Sequence, residues 1–320
     1  MKILITGGSG YFGRLLIPEL LKRDWIELVL NIDEKPYFVD NPKYVLIQKN
    51  LLEDFEQDIS QFGHFDVIFH LAYKIRRPYF KNKLLLWRKE NLESTQRIFK
   101  FGIENGIKKF IHASTVALYV ALPKNNLSKM FNEEDPLPSW PYDYAENKKE
   151  IEAWLKSESE KFNQDINVII LRIASVAGPS TKSFKKLSLF NFLKSKFPFM
   201  FYVREDSGRQ YLHENDLVRA FIFLIEHNFD EKFLVFNLAP KDFLTFKEMA
   251  RLDKKIPIKI PYLLGKILFT LLWHLSLGKL PTPPHAIDSF SFPIYVDGSK
   301  IEKYGFQYHY SSKEAYLMTH

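Results

Sequence analysis

Tyr144 and Lys148 are four positions apart, a spacing that places both side chains on one face of a helix. Tyrosine has an ordinary pKa of about 10 and is a poor base at neutral pH, but a neighbouring ammonium favours its phenolate. Such a pair could exchange a proton with a hydroxyl or carbonyl group of a bound molecule. The spacing also arises often by chance, so the position of the pair in the fold must decide between these interpretations.

Two hydroxyl side chains, Ser114 and Thr115, follow the apolar run Lys109–Ala113. The run predicts a β-strand, and ligands of open parallel sheets bind beyond the carboxyl ends of the strands. A hydroxyl at that edge could hydrogen-bond the same substrate oxygen that a tyrosine protonates. The helix that carries Tyr144 and Lys148 follows this strand, which favours a functional interpretation of the pair.

Three glycines, Gly7, Gly10 and Gly13, have the G-x-x-G-x-x-G spacing between a predicted strand, Lys2–Thr6, and a predicted helix, Tyr11–Lys22. In a dinucleotide-binding turn the first glycine permits the bend, the second lets the backbone approach the pyrophosphate, and the third lets helix and strand pack closely. The N–H groups at the start of the helix then face the phosphates. Because a tight turn alone would also explain the glycines, the prediction depends on the flanking strand and helix.

Asp33 ends the second predicted strand, about twenty residues after the turn. A carboxylate at this position accepts hydrogen bonds from the adenosine ribose and repels a 2′-phosphate, which favours NAD over NADP. Tyr11 and Phe12 open the helix and are expected beside the cofactor. We therefore predict NAD as the cofactor.

The first half of the chain alternates between short apolar runs and longer segments with 3.6-residue periodicity, a pattern typical of parallel βαβ units. We expect an α/β fold, a Rossmann-type doubly wound parallel sheet with a smaller C-terminal substrate lobe. The expected division is 1–176 and 177–320, and the chain can cross between the two. The predicted strands are Lys2–Thr6, Glu27–Asn31, Tyr44–Gln48, Val67–Leu71, Lys109–Ala113 and Asn167–Arg172, and the predicted helices are Tyr11–Lys22, Leu84–Glu104 and Tyr144–Lys161.

Together these motifs resemble the extended short-chain dehydrogenase/reductases, and more closely the NAD-dependent epimerase/dehydratase family in its UDP-glucose 4-epimerase-like members. The resemblance extends over nearly the whole chain. Further segments that are similar to the family's pattern are Asn50-Leu51, Asp66–Ala72, Asn91, Leu171-Arg172 with Gly178-Pro179, and Arg209–Asp216.

The resemblance implies a catalytic role for three residues. Thr115 would be the catalytic hydroxyl and Tyr144 the acid/base. Lys148 would hold the nicotinamide ribose and polarise Tyr144, while Ser114 would support the cofactor.

The resemblance also implies a set of binding contacts. Tyr73 departs from the family, which commonly has a small residue there, and it would place a bulky ring near the nicotinamide side of the site. The implied adenine contacts are Asn50 and Leu51, and the other implied cofactor contacts are Leu71, Ala72, Tyr73, Asn91 and Tyr144. The implied substrate contacts are Tyr73, Thr115 and Arg209, and Arg209 would contact a nucleotide diphosphate.

The expected function is that of an NAD-dependent nucleotide-sugar epimerase or a related sugar-modifying enzyme. One alternative is a net oxidoreductase of a lipophilic alcohol or ketone, similar to the 3β-hydroxysteroid dehydrogenases, for which Tyr73 and the apolar segment 260–277 argue. Another is a non-catalytic dinucleotide-sensing protein on the same fold, against which the combined presence of Thr115, Tyr144 and Lys148 argues.

Composition excludes several kinds of site. The chain has no cysteine, which excludes disulfides, thiol nucleophiles and Cys-ligated metals, and its nine histidines form no metal-binding motif. The net charge of +7 is spread along the 320 residues, so no nucleic-acid partner is expected. The N-terminus lacks the features of a signal peptide, and a cytoplasmic protein is expected. Arg76 and Arg77 are interpreted as part of a solvated loop, with phosphate contact as the alternative.

The segment Ile260–Leu277 is strongly apolar and close to the length that spans a bilayer. Lys266 and His274 interrupt it, so burial within the C-terminal lobe is the expectation and membrane contact is not. Contact with a membrane interface and a true span are the alternatives. The helices Leu84–Glu104 and Tyr144–Lys161 could form the interface of a homodimer, although a monomer would have apolar helix faces there too.

Overall fold

The computed structural model describes residues 1–162, 165–181, 198–280, 282–283 and 285–319. The elements of the first half are β1 (Lys2–Thr6), α1 (Tyr11–Leu21), β2 (Leu28–Ile32), β3 (Tyr44–Ile47), α2 (Glu56–Ser60), β4 (Val67–His70), α3 (Lys81–Glu104), β5 (Lys109–Thr115), a 3-10 turn (Val116–Tyr119) and α4 (Asp143–Ser159). Those that follow are β6 (Asn167–Ile173), β7 (Ser175–Ala177), β8 (Phe199–Tyr202), β9 (Gly208–Arg209), β10 (Tyr211–His213), α5 (Glu214–Glu226), β11 (Phe233–Leu238), β12 (Leu244–Thr245), α6 (Phe246–Leu252), β13 (Ile256–Lys259), α7 (Tyr262–Leu275), α8 (Asp288–Ser291), a second 3-10 turn (Ile301–Tyr304) and α9 (Ser312–Leu317).

A seven-stranded sheet in the order β11-β6-β5-β4-β1-β2-β3 forms the centre of the fold. Neighbouring strands are parallel throughout, as in the register that pairs Lys109 of β5 with Asn167 of β6 and Thr115 with Ile173. This topology confirms the predicted doubly wound parallel sheet. The six strands predicted from the sequence all occur, each with bounds within two residues of the expectation.

Both faces of the sheet are covered, which is why its strands are apolar without alternation. In β1, Ile3 and Ile5 pack into the core beneath α1 and α5, whereas Leu4 packs into the core on the α3 and α4 side. The order of the strands reverses between β1 and β4. Ligands of doubly wound sheets bind at this switch point, beyond the carboxyl ends of the strands.

The chain returns to the sheet after entering the second half. β11 adds the outermost strand beside β6, with Leu234 opposite Ile169 and Leu238 opposite Ile173, and α5 packs against α1. The C-terminal lobe has a separate small core that includes Met200, Tyr202, Tyr211, Leu244, Phe246, Met249 and Tyr316. A single cut near residue 176 therefore does not separate the sheet from the lobe.

Helix α7 occupies most of the apolar segment that the sequence predicts to be buried. Its inner side is covered, since Gly265 and Trp273 are buried. Burial is nevertheless wrong for the outer side, where Leu263 is 66% exposed and Leu275 is 81% exposed, because no element of the described chain packs over it. Among the helices of the described residues, none combines the length and the apolar character needed to cross a bilayer.

Two buried histidines lie next to each other on β4 and β5. Their rings stack with centroids 5.2 Å apart. His70 is bonded at both nitrogens, to the Thr6 hydroxyl at 2.7 Å and to the Thr95 hydroxyl at 2.9 Å. Within the described residues, neither ring nitrogen of His112 has a hydrogen-bond partner. Burial lowers the pKa of His70 to about 3 and lowers the pKa of His112 well below its ordinary value.

We expect this pair to make the fold sensitive to acid. As pH falls below about 6.5, these two histidines become protonated in the unfolded chain but stay neutral in the folded chain. The folded state is therefore stable above that pH and loses stability below it. The free energy of unfolding, measured with urea, should fall between about pH 7.5 and pH 5. In His112→Leu this fall should be smaller by about 2 kcal/mol. His64→Gln, on the exposed surface, is the matched control, and an unchanged pH dependence in His112→Leu would contradict the expectation.

Candidate active site

The glycine turn connects β1 to α1 at the switch point of the sheet. Gly7 has a φ of +73°, and a Cβ there would lie 2.5 Å from the backbone nitrogen of Ala72, so glycine is required both by conformation and by space. A Cβ on Gly13 would lie 2.3 Å from the Cα of Gly8, which shows how closely helix and turn pack. At Gly10, by contrast, a Cβ would meet only the Gly7 oxygen, at 3.1 Å. The three glycines therefore have different steric surroundings, with no space for a Cβ at Gly7 or Gly13 and more space at Gly10.

The first turn of α1 is open to a ligand. Its N-cap, Gly10, provides no side-chain cap, so backbone N–H groups and the helix dipole are available to a phosphate. The side chains of Tyr11 and Phe12 point elsewhere: the Tyr11 hydroxyl donates to Glu214 at 2.9 Å, and the Phe12 ring packs against that of Phe221. These two predicted cofactor residues can thus contribute their backbone to the site.

Asp33 lies just beyond β2, beside the turn. One carboxylate oxygen accepts a bond from the Ser9 N–H at 2.9 Å, and the other accepts one from the Lys35 N–H at 2.9 Å. Each oxygen keeps a lone pair for a ribose hydroxyl. Asn31, which was not predicted from the sequence, fixes the same turn by accepting the Gly8 N–H at 2.9 Å. A polar residue inside a fully buried strand is the signal that could have identified it.

The remaining predicted cofactor contacts surround this crevice. Asn50 donates to Glu34, Leu51 is buried in the core, and Leu71 with Ala72 follows β4 directly beside Gly7. Asn91 accepts the Lys74 N–H at 2.8 Å. Its amide nitrogen is buried and has no partner among the described residues, a donor that a bound polar group would satisfy. The open helix terminus, Asp33 and this donor fit a dinucleotide.

The acid/base candidate, Tyr144, stands at the start of α4 beside the end of β5. Burial raises its pKa above the ordinary tyrosine value, the neighbouring Tyr142 raises it further, and a hydrogen bond with Thr115 lowers it. Lys148, which the sequence predicts to lower this pKa, is not among the groups that shift it. Thr115 also accepts the Ala117 N–H at 3.2 Å, which fixes the hydroxyl at the end of the strand.

Lys148 lies one helical turn further into the protein. Its ammonium donates to the Ala113 carbonyl at 2.7 Å and lies 4.0 Å from the centroid of the Tyr73 ring. Burial lowers the pKa of Lys148 to about 7, while Glu152 raises it. Tyr73 donates its hydroxyl to Asn147 at 3.0 Å and meets the Tyr144 ring edge to face, with centroids 5.6 Å apart. The Tyr73 ring thus lies between the two predicted catalytic side chains and contacts both of them.

A buried ion pair completes the inner end of this helix face. Glu152, four residues after Lys148, pairs with Arg172 of β6 at 2.9 Å and accepts the Ser114 hydroxyl at 2.5 Å. Arg172 also donates to the Tyr119 hydroxyl at 2.9 Å. The hydroxyl of Ser114, which was predicted to support the cofactor, therefore donates its hydrogen bond to Glu152. No role was predicted for Glu152, although its spacing from Tyr144 and Lys148 places it on their face.

A cavity of about 590 Å³ opens in front of Tyr144 and Thr115, and Arg209 lines it as predicted. Tyr73 lies outside this lining, behind Tyr144. Arg77 is not the solvated residue that was expected, since it pairs with Asp143 at 2.6 Å and lines the cavity. Arg76 lines it too, and its guanidinium donates to the Lys279 carbonyl at 2.9 Å. The wall is otherwise largely apolar and aromatic, including Val116, Ala117, Tyr142, Trp273, Phe290 and Ile294.

We expect Asp33→Ser to lower the affinity for NAD by about 10- to 100-fold, because it removes charged acceptors for the ribose hydroxyls. The difference in affinity between NAD and NADP should become smaller, since the carboxylate no longer repels a 2′-phosphate. Calorimetric titration with both dinucleotides measures this. Asp40→Ser changes an exposed aspartate in the loop that follows β2 and should leave both affinities unchanged; an equal loss in the two variants would contradict the assignment.

Comparison with known proteins agrees with this geometry. The model of the NAD dependent epimerase/dehydratase family matches residues 3–239. An uncharacterized protein of Sinorhizobium fredii is 26% identical, over 99% of this chain and 77% of its own. A dTDP-4-dehydro-6-deoxyglucose reductase of Escherichia coli is 25% identical, over 80% of this chain and 83% of its own.

Among solved structures, the UDP-glucose 4-epimerase of Thermotoga maritima with UDP-glucose superposes with a TM-score of 0.75, at 20% identity, over 100% of this chain and 97% of that chain. This likeness shows the shared fold. The family match, over most of the chain, confirms the resemblance inferred from the motifs and the prediction of NAD as cofactor. The chain belongs to the NAD dependent epimerase/dehydratase family.

Proposed function

We propose that the protein is an NAD-dependent nucleotide-sugar epimerase or a closely related sugar-modifying enzyme, with Tyr144 as its acid/base. The observation that carries this proposal is the common cavity of Tyr144, Thr115 and Arg209. Two groups able to bond one substrate oxygen stand at its inner end, and a cation able to bind a phosphate lies on its wall.

NAD, when bound, supplies an acceptor that takes a hydride from a sugar carbon and returns it. Tyr144 would take the proton of the hydroxyl on the same carbon and give it back to the resulting ketone. Thr115 would hold that oxygen by a hydrogen bond, and Lys148 would hold the ribose after Tyr73 turns away from its ammonium. Return of the hydride to the opposite face of the rotated ketone, with return of the proton from Tyr144 to the ketone oxygen, would give the epimer and leave NAD unchanged.

The charges in the cavity favour a substrate with a diphosphate. Arg76, Arg209 and Lys279 line it, and within the described residues none of the three has a carboxylate partner in a salt bridge. Guanidinium groups suit phosphate oxygens. The Thermotoga maritima relative was solved with UDP-glucose, and the E. coli relative is named for a dTDP-sugar.

The same lining argues against a dehydratase. Elimination of water from a sugar needs an acid that protonates the departing hydroxyl. Among the described residues that line the cavity there is no aspartate or glutamate, and Val116 and Ala117 follow the catalytic hydroxyl. The side chains present support redox chemistry at one carbon, followed by return of the hydride.

The second candidate is a net oxidoreductase of a lipophilic alcohol or ketone. The apolar part of the cavity wall, Val116, Trp273, Phe290 and Ile294, is the observation that favours it. Such a substrate would leave Arg209 without a counter-charge, which is why it ranks second.

Two measurements separate these functions. Mass spectrometry of the small molecules released from the purified, denatured protein should find retained NAD, and a nucleotide sugar beside it would define the substrate. Incubation with UDP- and dTDP-sugars should then yield an epimer with no change in absorbance at the NADH wavelength. Steady NADH formation with a hydrophobic alcohol would instead support the oxidoreductase, and neither turnover nor binding of any nucleotide sugar would overturn the proposal.

A further inference from the structure

Helix α7 exposes a stripe of aliphatic residues, which we call the apolar face, and its other exposed residues are Lys266, Thr270 and His274. The six residues of the apolar face are Leu263, Leu264, Ile267, Leu268, Leu271 and Leu275, and their exposed fractions range from 45% for Leu268 to 81% for Leu275. They recur at the spacing of one helical stripe.

The opposite side of α7 is apolar as well, because it packs on the lobe. The Tyr262 ring contacts that of Phe292 at 5.4 Å between centroids, and the Phe269 ring contacts that of Phe290 at 5.8 Å. A helix at a water-facing surface normally exposes mainly polar residues, whereas six of the nine exposed residues of α7 are aliphatic. The apolar face therefore requires an occupant that the single chain does not provide.

Neighbouring elements extend this surface. Tyr79 contacts the Trp273 ring at 5.8 Å, and its hydroxyl bonds His274 at 2.9 Å, which ties the segment before α3 to α7. Further exposed apolar side chains lie just before α3, in the first turns of α3 and on the strand before α7, namely Phe80, Leu85, Leu86, Ile256 and Ile258.

The charge around the apolar face has one sign. Between Asp253 and Asp288 the sequence contains no acidic residue and five lysines, and between Asp66 and Glu90 it again contains no acidic residue but seven lysines and arginines. Four surface lysines of these two segments lie near the apolar face in sequence, namely Lys81, Lys83, Lys266 and Lys279. Among the described residues, none of the four takes part in a salt bridge.

We propose that the apolar face binds the surface of an anionic phospholipid bilayer. With 14 residues, α7 is about 21 Å long, shorter than the hydrocarbon core of about 30 Å, so it lies along the interface with its leucines among the acyl chains. Lys81, Lys83 and Lys266 then face lipid phosphates. A second copy on the same face would instead bring lysine against lysine, which is why the bilayer is the occupant.

This orientation places the mouth of the cavity near the headgroups. Trp273, Gly278 and Lys279, at and just beyond the end of α7, line the cavity, as do Ile75 and Arg76 of the neighbouring segment. Membrane binding is independent of the proposed chemistry, since neither Tyr144 nor Thr115 belongs to the apolar face.

Sedimentation of the purified full chain with vesicles tests the proposal. The protein should bind vesicles of equal parts phosphatidylglycerol and phosphatidylcholine and should bind pure phosphatidylcholine much more weakly, with a loss of binding as salt is raised. The triple variant Leu263→Gln, Ile267→Gln and Leu271→Gln should lower partition at least about tenfold. It changes exposed side chains only, so the fold is expected to persist, and circular dichroism checks this.

The charge contribution is tested separately. Lys83→Gln with Lys266→Gln should lower partition about 25-fold, since each surface cation contributes about a factor of five. The matched control for the apolar substitutions is Phe38→Gln, at a position 80% exposed on another surface, and that for charge is Lys303→Gln with Lys313→Gln; both should bind like the parent.

Three results would overturn the proposal. One is absence of binding to anionic vesicles by the parent, and another is equal binding by the parent and the triple variant. The third is a lipid-independent oligomer in gel filtration that the triple variant dissociates, which would assign the apolar face to a second copy.

Discussion

Tyr144→Phe is expected to lower the turnover of a nucleotide sugar by about 10²- to 10⁴-fold, the contribution of a positioned acid/base group. The substitution removes one hydroxyl and keeps the ring that packs edge to face on Tyr73, so the fold and the cavity should be retained. The rate is measured by chromatographic separation of the two epimers. Titration with NAD, followed by protein fluorescence, should show an affinity close to that of the parent.

The matched control for this variant is Tyr304→Phe. Tyr304 donates its hydroxyl to the surface residue Glu231 at 2.7 Å and is absent from the lining of the cavity. Its loss should leave turnover unchanged. If Tyr144→Phe kept a rate within tenfold of the parent, the acid/base assignment would fail, and the non-catalytic interpretation of the fold would gain weight.

Glu152→Ala is expected to lower the free energy of unfolding by about 3–5 kcal/mol. Side-chain exposure is 7% for Arg172 and 6% for Glu152, so the variant leaves a guanidinium buried without its counter-charge. The Ser114 hydroxyl loses its acceptor at the same time. Equilibrium unfolding in urea or guanidinium chloride measures the change.

Glu150→Ala gives the matched control on the same helix. Glu150 pairs with Arg88 at 3.4 Å, and both side chains are well exposed, at 45% and 36%. An exposed pair contributes about 0–1 kcal/mol, so this variant should unfold almost as the parent does. Similar losses in the two variants would mean that the buried pair contributes no more than an ordinary surface contact.

Much of the fold follows from local patterns. The glycines, the strand before them and the helix after them lie within twenty-two consecutive residues, so local spacing is enough to predict the turn, although Asn31 and Ala72 complete its surroundings. The parallel sheet is equally readable, because strands buried on both faces leave continuous apolar runs. The i, i+4 spacing of Tyr144 and Lys148 likewise specifies one helix face, because it depends only on the helical repeat.

Contacts between residues that are far apart in the sequence cannot be predicted in this way. Tyr73 is expected near the nicotinamide side, but its position between Tyr144 and Lys148 depends on how the loop after β4 meets α4. Ser114 is predicted to support the cofactor, whereas its hydroxyl bonds Glu152, 38 residues away. Which face of β5 it occupies follows from the register and packing of the sheet, and one residue of shift would exchange it with Thr115.

The sequence by itself therefore determined the parallel sheet, the dinucleotide turn and the helix face that Tyr144 and Lys148 share, because each of these depends on the spacing of neighbouring residues. Only the tertiary structure decided that Arg209 reaches the cavity of Tyr144, that Glu152 and Arg172 are paired beneath it, and that one side of α7 is left uncovered. An apolar helix has the same sequence pattern whether protein or another phase covers it. Which side is covered depends on the elements that pack against it, and these come from distant parts of the chain.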